Sequence, residues 1–280
     1  MTSNIQAKII ADSISENDNR ITTVQVKFHR YILAEFNTHR KFSRNFSSSR
    51  AIPTSKLLEQ VITNPALPVY WGKNKSGMQA IEEISISDQE KATMYLQSAA
   101  IDAANVAKKL SDMGVHKQIV NRVLEPYLFV EGIVTSTEWN NFFELRCHKD
   151  AQPEIQELAN KIKTAINNST PIKLNNDQWH LPYIKDDDYR LIAGYPDVKF
   201  ILQKISAARC CRVSYLLHDG TNPNVTDDLS LFNRLAGSVP KHHSPLEHQA
   251  LPDLVYQYPE YHGNFDGFIQ FRKLSEYNLV

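Results

Sequence analysis

The chain has 280 residues, of which 42% are hydrophobic, so it is long enough to bury a substantial core. Its 31 basic and 31 acidic residues balance, which excludes a global field that would attract nucleic acid or a membrane surface, so any anion site must be local. The N-terminus has no charged stretch followed by an apolar one, and no run approaches the roughly 18 apolar residues of a membrane span, so we expect a soluble, cytoplasmic protein.

The chain opens with two predicted strands, residues 5–13 and 20–29, in which apolar and polar side chains alternate. The polar residues between them predict a turn, so the strands should form a hairpin. Pro53 then precedes a predicted short helix over 54–62.

The longest predicted helix begins at a capping box formed by Ser87 and Glu90 and ends at Gly114. Its helical stripe of small and apolar residues indicates a core or subunit interface rather than catalysis. The stripe contains Ala92, Tyr95, Ala99, Ala103, Val106 and Leu110.

Three further helices are predicted in the second half of the chain. Trp139, Phe142 and Phe143 form the apolar face of one helix, and the others cover 153–166 and 227–236. The three cysteines are odd in number and two are adjacent, which excludes a disulfide framework and a paired C-x-x-C zinc site, so we expect reduced, mostly buried thiols.

The segment from Glu35 to Arg50, which we call the Arg/Ser segment, concentrates cationic and short polar side chains with few apolar residues between them. Guanidinium groups bind phosphate bidentately and hydroxyls complete such a site, so the composition suits an anionic ligand. An exposed loop, or a basic patch that binds nucleic acid without specificity, is the alternative. The donors are His39, Arg40, Ser43, Arg44, Asn45, Ser47, Ser48, Ser49 and Arg50.

The spacing T-H-R-x-x-S-x-N-x-x-S-x-R within this segment resembles the signature of the flavin-dependent thymidylate synthases, R-H-R-x-x-S-x-N-x-x-S-x-R, with Thr38 in place of the first arginine. Four further stretches are similar to motifs of that family. They are R-x-L-x-P at 122–126, N-F-F-E-L-R with D-A-Q-x-E-I at 141–155, R-V-S-Y at 212–215 and H-H-S-P-L-E-H at 242–248.

The order of these stretches differs from the usual one, because R-V-S-Y and H-x-[ST]-P-[FL]-E-H normally precede the arginine signature. A circular permutation explains the order, since termini that are close in space can be relocated when the contacts survive. The resemblance implies one domain over 1–280, with a mixed, largely antiparallel sheet flanked by long helices. It also implies a homotetramer whose sites lie between subunits.

The activity implied by the resemblance is reductive methylation of dUMP to dTMP, with FAD as cofactor, methylenetetrahydrofolate as one-carbon donor and NADPH as reductant. It relies on electrostatic activation of the uracil ring and on the redox chemistry of the cofactor. Catalytic roles fall on Ser48, Arg50 and Arg146. Nucleotide contacts fall on Glu35, Ser47, Ser48, Ser49, Arg50, Arg122 and Arg146. Flavin contacts fall on His39, Arg40, Asn45, Asn141, Ser214, His242, Ser244 and Glu247.

This sequence departs from the family pattern at Thr38, Phe46, Thr135 and Thr137, which replace polar or charged residues. We expect no metal, because the acidic run at 186–188 is typical of a solvated loop and Pro245 interrupts the continuous helix that an H-E-x-x-H zinc site needs.

Several alternatives stay open. One alternative is a relative of the family that hydroxymethylates dUMP. Another is a relative that methylates or hydroxymethylates dCMP, because Glu35 can pair with the exocyclic amine of the cytosine. A thymidylate synthase with a cysteine nucleophile is disfavoured, because Cys147, Cys210 and Cys211 lie in none of that family's motifs. The last two are a non-catalytic nucleic-acid-binding protein, which the neutral charge disfavours, and a flavin-binding subunit without catalysis.

Overall fold

The computed structural model of the chain describes residues 4–77, 79–80, 82–212, 224–236, 238 and 240–279. Its main sheet has five strands in the order β3-β4-β2-β1-β5, and a second sheet pairs β6 with β7. The strands are β1 Gln6–Ser15, β2 Arg20–His29, β3 Ser43–Phe46, β4 Phe129–Ser136, β5 Ile172–Leu174, β6 Ala250–Pro252 and β7 Phe268–Gln270.

The α-helices lie around the main sheet and in the later part of the chain. They are α1 Leu33–Phe36, α2 Thr54–Thr63, α3 Ile86–Asp112, α4 Lys117–Val120, α5 Asn140–Arg146, α6 Pro153–Asn167, α7 Asp186–Leu191, α8 Val198–Arg212, α9 Val225–Ala236 and α10 Phe271–Glu276. Short 3-10 helices cover Arg30–Ile32, Asn121–Tyr127, Ser244–Glu247 and Pro259–Tyr261. No helix of the described residues is long and apolar enough to cross a membrane.

The predicted hairpin is confirmed, because β1 and β2 pair antiparallel along nearly their whole length. Strands β2 with β4 and β3 with β4 are also antiparallel, whereas β5 runs parallel to β1. The sheet is therefore mixed and largely antiparallel, with helices around it, as the resemblance implies.

The two faces of the main sheet differ in chemistry because side chains alternate along each strand. Val24, Val26 and Val134 belong to the main hydrophobic core, which also includes the apolar face of α6. On the other face Thr23 and Thr135 are buried beneath residues from the later part of the chain. The polar face therefore joins the two halves of the chain.

The predicted helices over 54–62, 153–166 and 227–236 are confirmed by α2, α6 and α9. The helix predicted around Trp139 is also confirmed, because Trp139 and Phe142 are buried in the main core.

The long helix α3 is confirmed and Leu110 of its predicted stripe packs against the core, but its predicted cap is wrong and its most buried positions differ from the prediction. The cap is Ser85, whose side chain accepts a hydrogen bond from the Asp88 backbone nitrogen, rather than Ser87. The buried face carries Ala100, Ala104 and Ala107, one residue later than predicted, because small side chains let α3 pack closely against α2. The bulkier Tyr95 and Val106 lie exposed.

Phe46, which departs from the family pattern, is explained by a glycine on the adjacent strand. It lies opposite Gly132 in the β3–β4 register, and its ring packs edge-on against Phe28 and Phe36. A Cβ on Gly132 would lie 2.0 Å from the Phe46 ring. The position therefore serves the hydrophobic core.

Gly132→Ala is expected to destabilise the protein by about 1 to 3 kcal/mol, because the Phe46 ring must leave its place in the core. Urea denaturation checks this value. Gly194→Ala is the matched control, since a Cβ there meets nothing within 4 Å, and it should change stability by less than about 0.5 kcal/mol. Equal effects of the two substitutions would contradict the packing argument.

Candidate active site

The first part of the Arg/Ser segment lines an open cleft of about 810 Å³. The opposite wall comes from the end of the chain and includes two residues of H-H-S-P-L-E-H. The lining residues are Ala34, Asn37, Thr38, Arg40, Phe42, Arg44, Ser244, Glu247 and Asn264. The structure thus brings Arg40 together with Ser244 and Glu247, which the sequence assigned to one cofactor.

The cleft carries net positive charge. Arg44 donates to the backbone carbonyls of His39 at 2.7 Å and Phe42 at 3.3 Å, and burial followed by the charge of Arg40 lowers the pKa of Arg44 below its usual value. Among the described residues neither arginine pairs with a carboxylate. Glu247 is neutralised by Arg272, so an anionic ligand would meet two uncompensated cations.

A buried glutamine holds the two walls in register. The Gln270 amide donates to the Ser43 hydroxyl at 2.9 Å and to the Glu247 carbonyl at 3.1 Å. Asn45 faces away from the cleft lining and donates to the Cys210 carbonyl on α8 at 3.0 Å. Its assignment to the flavin stays a prediction, and the observed contact links β3 to α8.

His39 lies behind the cleft and is held neutral. Its Nε2 accepts a hydrogen bond from Arg146 Nε at 2.9 Å, and its ring packs edge-on against Phe142. Burial, then the charges of Arg146 and Arg44, lower the pKa of His39 to about 4. The ring proton therefore stays on Nδ1. Arg146 also reaches the Thr38 hydroxyl at 3.4 Å, which brings a guanidinium to the position where the family carries an arginine.

Acid is expected to destabilise the protein already between about pH 6.5 and pH 4. Burial lowers the pKa of His180 and His248 to about 3, as it lowers that of His39 to about 4, so all three are neutral when folded and protonate first on unfolding. The unfolded state then binds more protons, and stability present above pH 6.5 falls by at most about 1.4 kcal/mol per pH unit for each histidine.

Urea denaturation at a series of pH values measures this slope. His39→Gln keeps an acceptor for Arg146. It should reduce the slope of stability against pH by up to about 1.4 kcal/mol per pH unit, the contribution of one proton. An unaltered slope in His39→Gln would refute the assignment of a neutral His39.

The second part of the Arg/Ser segment belongs to a different group of residues, which we call the Glu125 cluster: Ser49, Arg30, Arg122 and Glu125. Glu125 Oε1 accepts hydrogen bonds from Ser49 Oγ at 2.5 Å and from Arg122 at 2.7 Å, and it forms an ion pair with Arg30 at 2.9 Å. The Ser47 hydroxyl beside it accepts from the Glu131 backbone nitrogen at 3.2 Å.

The structure places Arg122 and Arg146 in separate groups of contacts, so their joint role at one phosphate stays a prediction. Ser48 is half-buried and Arg50 is exposed, and within the described part of the chain neither side chain forms a hydrogen bond or ion pair. Glu35, Asn141 and His242 are exposed and do not line the cleft, and Ser214 lies outside the described residues.

The remaining departures have structural partners. Thr135 is buried and hydrogen-bonds Thr23 at 2.7 Å and His248 at 2.9 Å, while the Thr137 hydroxyl accepts from the Asp266 backbone nitrogen. The acidic run at 186–188 is the first turn of α7 rather than a loop, and no cluster of three metal-ligating side chains occurs among the described residues.

Sequence reasoning missed Arg30, Asn37 and Asn264. Arg30 directly follows strand β2 and lies shortly before the Arg/Ser segment. This position close to a basic segment was the signal that could have identified it. The two asparagines line the cleft from loops without a motif, so nothing in the sequence distinguished them.

The cysteines are unpaired, and Cys210 and Cys211 are buried, as expected. Burial raises the pKa of all three thiols, to about 11 for Cys211. A buried neutral thiol is a poor nucleophile, which further disfavours the cysteine-dependent alternative.

The solved structures similar to this chain include two of the UMP/dUMP methylase PolB from Streptomyces cacaoi. The one bound with 5-Br dUMP is 17% identical with a TM-score of 0.48, and the alignment covers 59% of this chain and 90% of that one. The one bound with 5-Br UMP is 18% identical with the same TM-score, and covers 59% and 89%. No curated protein matches the chain.

A family model described as "Thymidylate synthase complementing protein" matches residues 19–172, which include the Arg/Ser segment and the stretches at 122–126 and 141–155. R-V-S-Y and H-H-S-P-L-E-H lie outside the match, so the permuted order stays a prediction. Since the match covers more than half of the chain, the resemblance is confirmed: the chain belongs to the thymidylate synthase complementing protein family of flavin-dependent, thymidylate synthase-like methyltransferases.

Proposed function

We propose that this protein methylates dUMP to dTMP, with FAD as cofactor, methylenetetrahydrofolate as one-carbon donor and NADPH as reductant. One observation carries the proposal beyond family membership. Two stretches from opposite ends of the chain, each similar to a flavin-contacting motif, line one cleft through Arg40 on one wall and Ser244 and Glu247 on the other.

The residues of the cleft fit a flavin dinucleotide. The volume of the cleft lies in the range of about 300 to 1,000 Å³ typical of small-molecule sites. Arg40 and Arg44 suit a pyrophosphate, Phe42 offers an apolar surface for a ring, and the amides of Asn37 and Asn264 offer hydrogen bonds. When bound, FAD supplies the redox chemistry of the methyl transfer.

In this proposal Ser48 and Arg50, whose side chains have no hydrogen-bond or ion-pair partner among the described residues, hold the nucleotide's phosphate together with the arginines of the Glu125 cluster. The guanidinium of Arg146, fixed by neutral His39, polarises the pyrimidine. Because His39 accepts from Arg146, it orients that cation and holds its own proton on Nδ1, away from the guanidinium.

We also propose that the sites are completed by other copies of the chain in a homotetramer. Arg50 and Glu35 are exposed in the single chain, as residues that meet a ligand between subunits would be. The long helix α3 exposes Met94 and Tyr95 by 68% and 75%, which supports contact with a second copy. Light scattering of the purified protein tests the assembly.

The experiment that tests the function is the visible absorption spectrum of the purified protein with added FAD, followed by titration with dUMP and dCMP. A bound flavin whose spectrum shifts with dUMP, and formation of dTMP on adding methylenetetrahydrofolate and NADPH, are expected. No flavin binding at saturating FAD would overturn the proposal, and steeply salt-dependent binding of DNA or RNA would then identify a nucleic-acid-binding protein.

The hydroxymethylating and dCMP-specific alternatives give different results in the same experiment. The exposed carboxylate of Glu35 is suited to pair with the exocyclic amine of a cytosine, so a spectral shift with dCMP alone would select that substrate. Mass analysis of the product separates a methyl from a hydroxymethyl group.

A further inference from the structure

A carboxylate of the chain itself occupies the centre of the Glu125 cluster. One oxygen, Glu125 Oε1, accepts hydrogen bonds from the Ser49 hydroxyl and the Arg122 guanidinium and forms an ion pair with Arg30, all at 2.5 to 2.9 Å. Ser49 is buried and the side chains of Arg30 and Glu125 are 16% and 23% exposed, whereas the side chain of Arg122 is 52% exposed and opens the cluster to solvent.

The donor set matches what a phosphate oxygen requires. Charge-assisted hydrogen bonds from arginine and a serine hydroxyl are the strong contacts of phosphate sites. Ser49 belongs to the Arg/Ser segment, and Arg30 also donates to the Ser47 carbonyl at 3.4 Å, so the cluster is built onto that segment. Ser48 and Arg50, whose side chains have no hydrogen-bond or ion-pair partner among the described residues, lie on either side of Ser49 in sequence.

Glu125 is placed there by the local helix. It lies three residues after Arg122 on the 3-10 helix Asn121–Tyr127, in which residues three apart project from the same side. The Asn121 amide donates to the Ser49 carbonyl at 2.7 Å, which fixes the helix against the Arg/Ser segment. The carboxylate therefore reaches the donors without distortion of either segment.

We propose that Glu125 is an internal competitor for the phosphate site of the nucleotide, an inference that rests on the proposed function. A phosphate oxygen needs the donors that Glu125 Oε1 now holds, so a nucleoside monophosphate binds by displacing the carboxylate. Glu125 thereby lowers the affinity for the phosphate group and leaves the affinity for the nucleoside part unchanged. It is a specificity-determining residue rather than a catalytic one.

A purely structural role for Glu125 predicts the opposite change in phosphate affinity. If Glu125 only orders Arg30 and Arg122 for the ligand, its removal lets the two cations repel each other, and phosphate binds more weakly. Removal of an internal competitor makes phosphate bind more tightly.

Isothermal titration of the full-length protein with inorganic phosphate, dUMP and deoxyuridine distinguishes the two roles. In Glu125→Gln we expect about tenfold tighter binding of phosphate and of dUMP, since the neutral amide gives up the arginines more readily, and unchanged binding of deoxyuridine. Glu131→Gln is the matched control: it removes the same charge from a pair with Lys27 on neighbouring strands and should change phosphate affinity less than about twofold.

Unchanged or weaker phosphate binding in Glu125→Gln would overturn the inference, as would an equal gain in Glu131→Gln. Absence of phosphate binding in both the wild-type protein and Glu125→Gln would also overturn it. If Glu125→Gln does not fold, Glu125→Asp keeps the charge but shortens its reach, and phosphate affinity that fails to rise in that variant refutes the competitor role. A tighter phosphate site without dTMP formation would uphold the inference and refute the proposed function.

Discussion

Arg40→Gln is expected to weaken FAD binding about 10- to 100-fold without unfolding the protein. The side chain is exposed on the cleft wall and has no carboxylate partner among the described residues, so its charge is available to a ligand. A hydrogen bond to a charged group is worth about 1.5 to 3 kcal/mol, which corresponds to that loss of affinity. Titration of the apoprotein with FAD, followed by flavin fluorescence, measures it.

Lys41→Gln provides the matched control for this prediction. Lys41 is the next residue, it is equally cationic and exposed, and it does not line the cleft. Its substitution removes the same charge but should change FAD affinity less than about threefold. Equal losses in both variants would mean that a general field attracts the flavin, and no loss in Arg40→Gln would place the cofactor elsewhere.

The sequence predicted well where a regular pattern and burial act together. Strand β2 alternates apolar and polar residues, and its sheet buries the apolar side. The pattern therefore predicted both the strand and the face that packs on the core. The resemblance to the flavin-dependent thymidylate synthases assigned Arg40, Ser244 and Glu247 to one cofactor, and the three residues line one cleft, while their contact with a flavin stays a prediction.

Helix α3 shows where pattern alone fails. Its small and apolar residues occur on more than one face, so periodicity did not decide between Ala99 and Ala100 as the buried position. The neighbouring segments decided it, because Ala100, Ala104 and Ala107 pack against α2 and the 3-10 helix Asn121–Tyr127, and this information lies elsewhere in the chain.

The Glu125 cluster could not be predicted for a related reason. Its four members come from three segments that are distant in sequence, and only the Arg122–Glu125 pair, three residues apart, leaves a local pattern. Gln270 is a similar case: it joins β3 to the 3-10 helix Ser244–Glu247 through two hydrogen bonds that only the folded chain defines. Candidate residues were therefore easier to predict than the contacts that hold them.

The later half of the chain depends on a buried ion network for its position against β3. Asp228 on α9 is fully buried and pairs with Arg209 at 3.0 Å and Arg212 at 2.6 Å, while Arg209 also pairs with Asp188 at 2.7 Å. The network joins α7, α8 and α9, and α8 in turn receives the hydrogen bond from Asn45. Arg212, the first residue of R-V-S-Y, thus has a structural partner.

Asp228→Asn is expected to destabilise the protein by about 3 to 5 kcal/mol, the usual cost of removing one partner of a buried ion pair. The substitution preserves shape but leaves Arg212 with a buried charge and no carboxylate in this network. Urea denaturation followed by circular dichroism measures the loss. Asp187→Asn is the control, since its pair with Arg190 is 81% exposed on both sides and should contribute less than about 1 kcal/mol. A loss of stability of less than about 1 kcal/mol in Asp228→Asn would mean that apolar packing alone positions α8 beside the cleft.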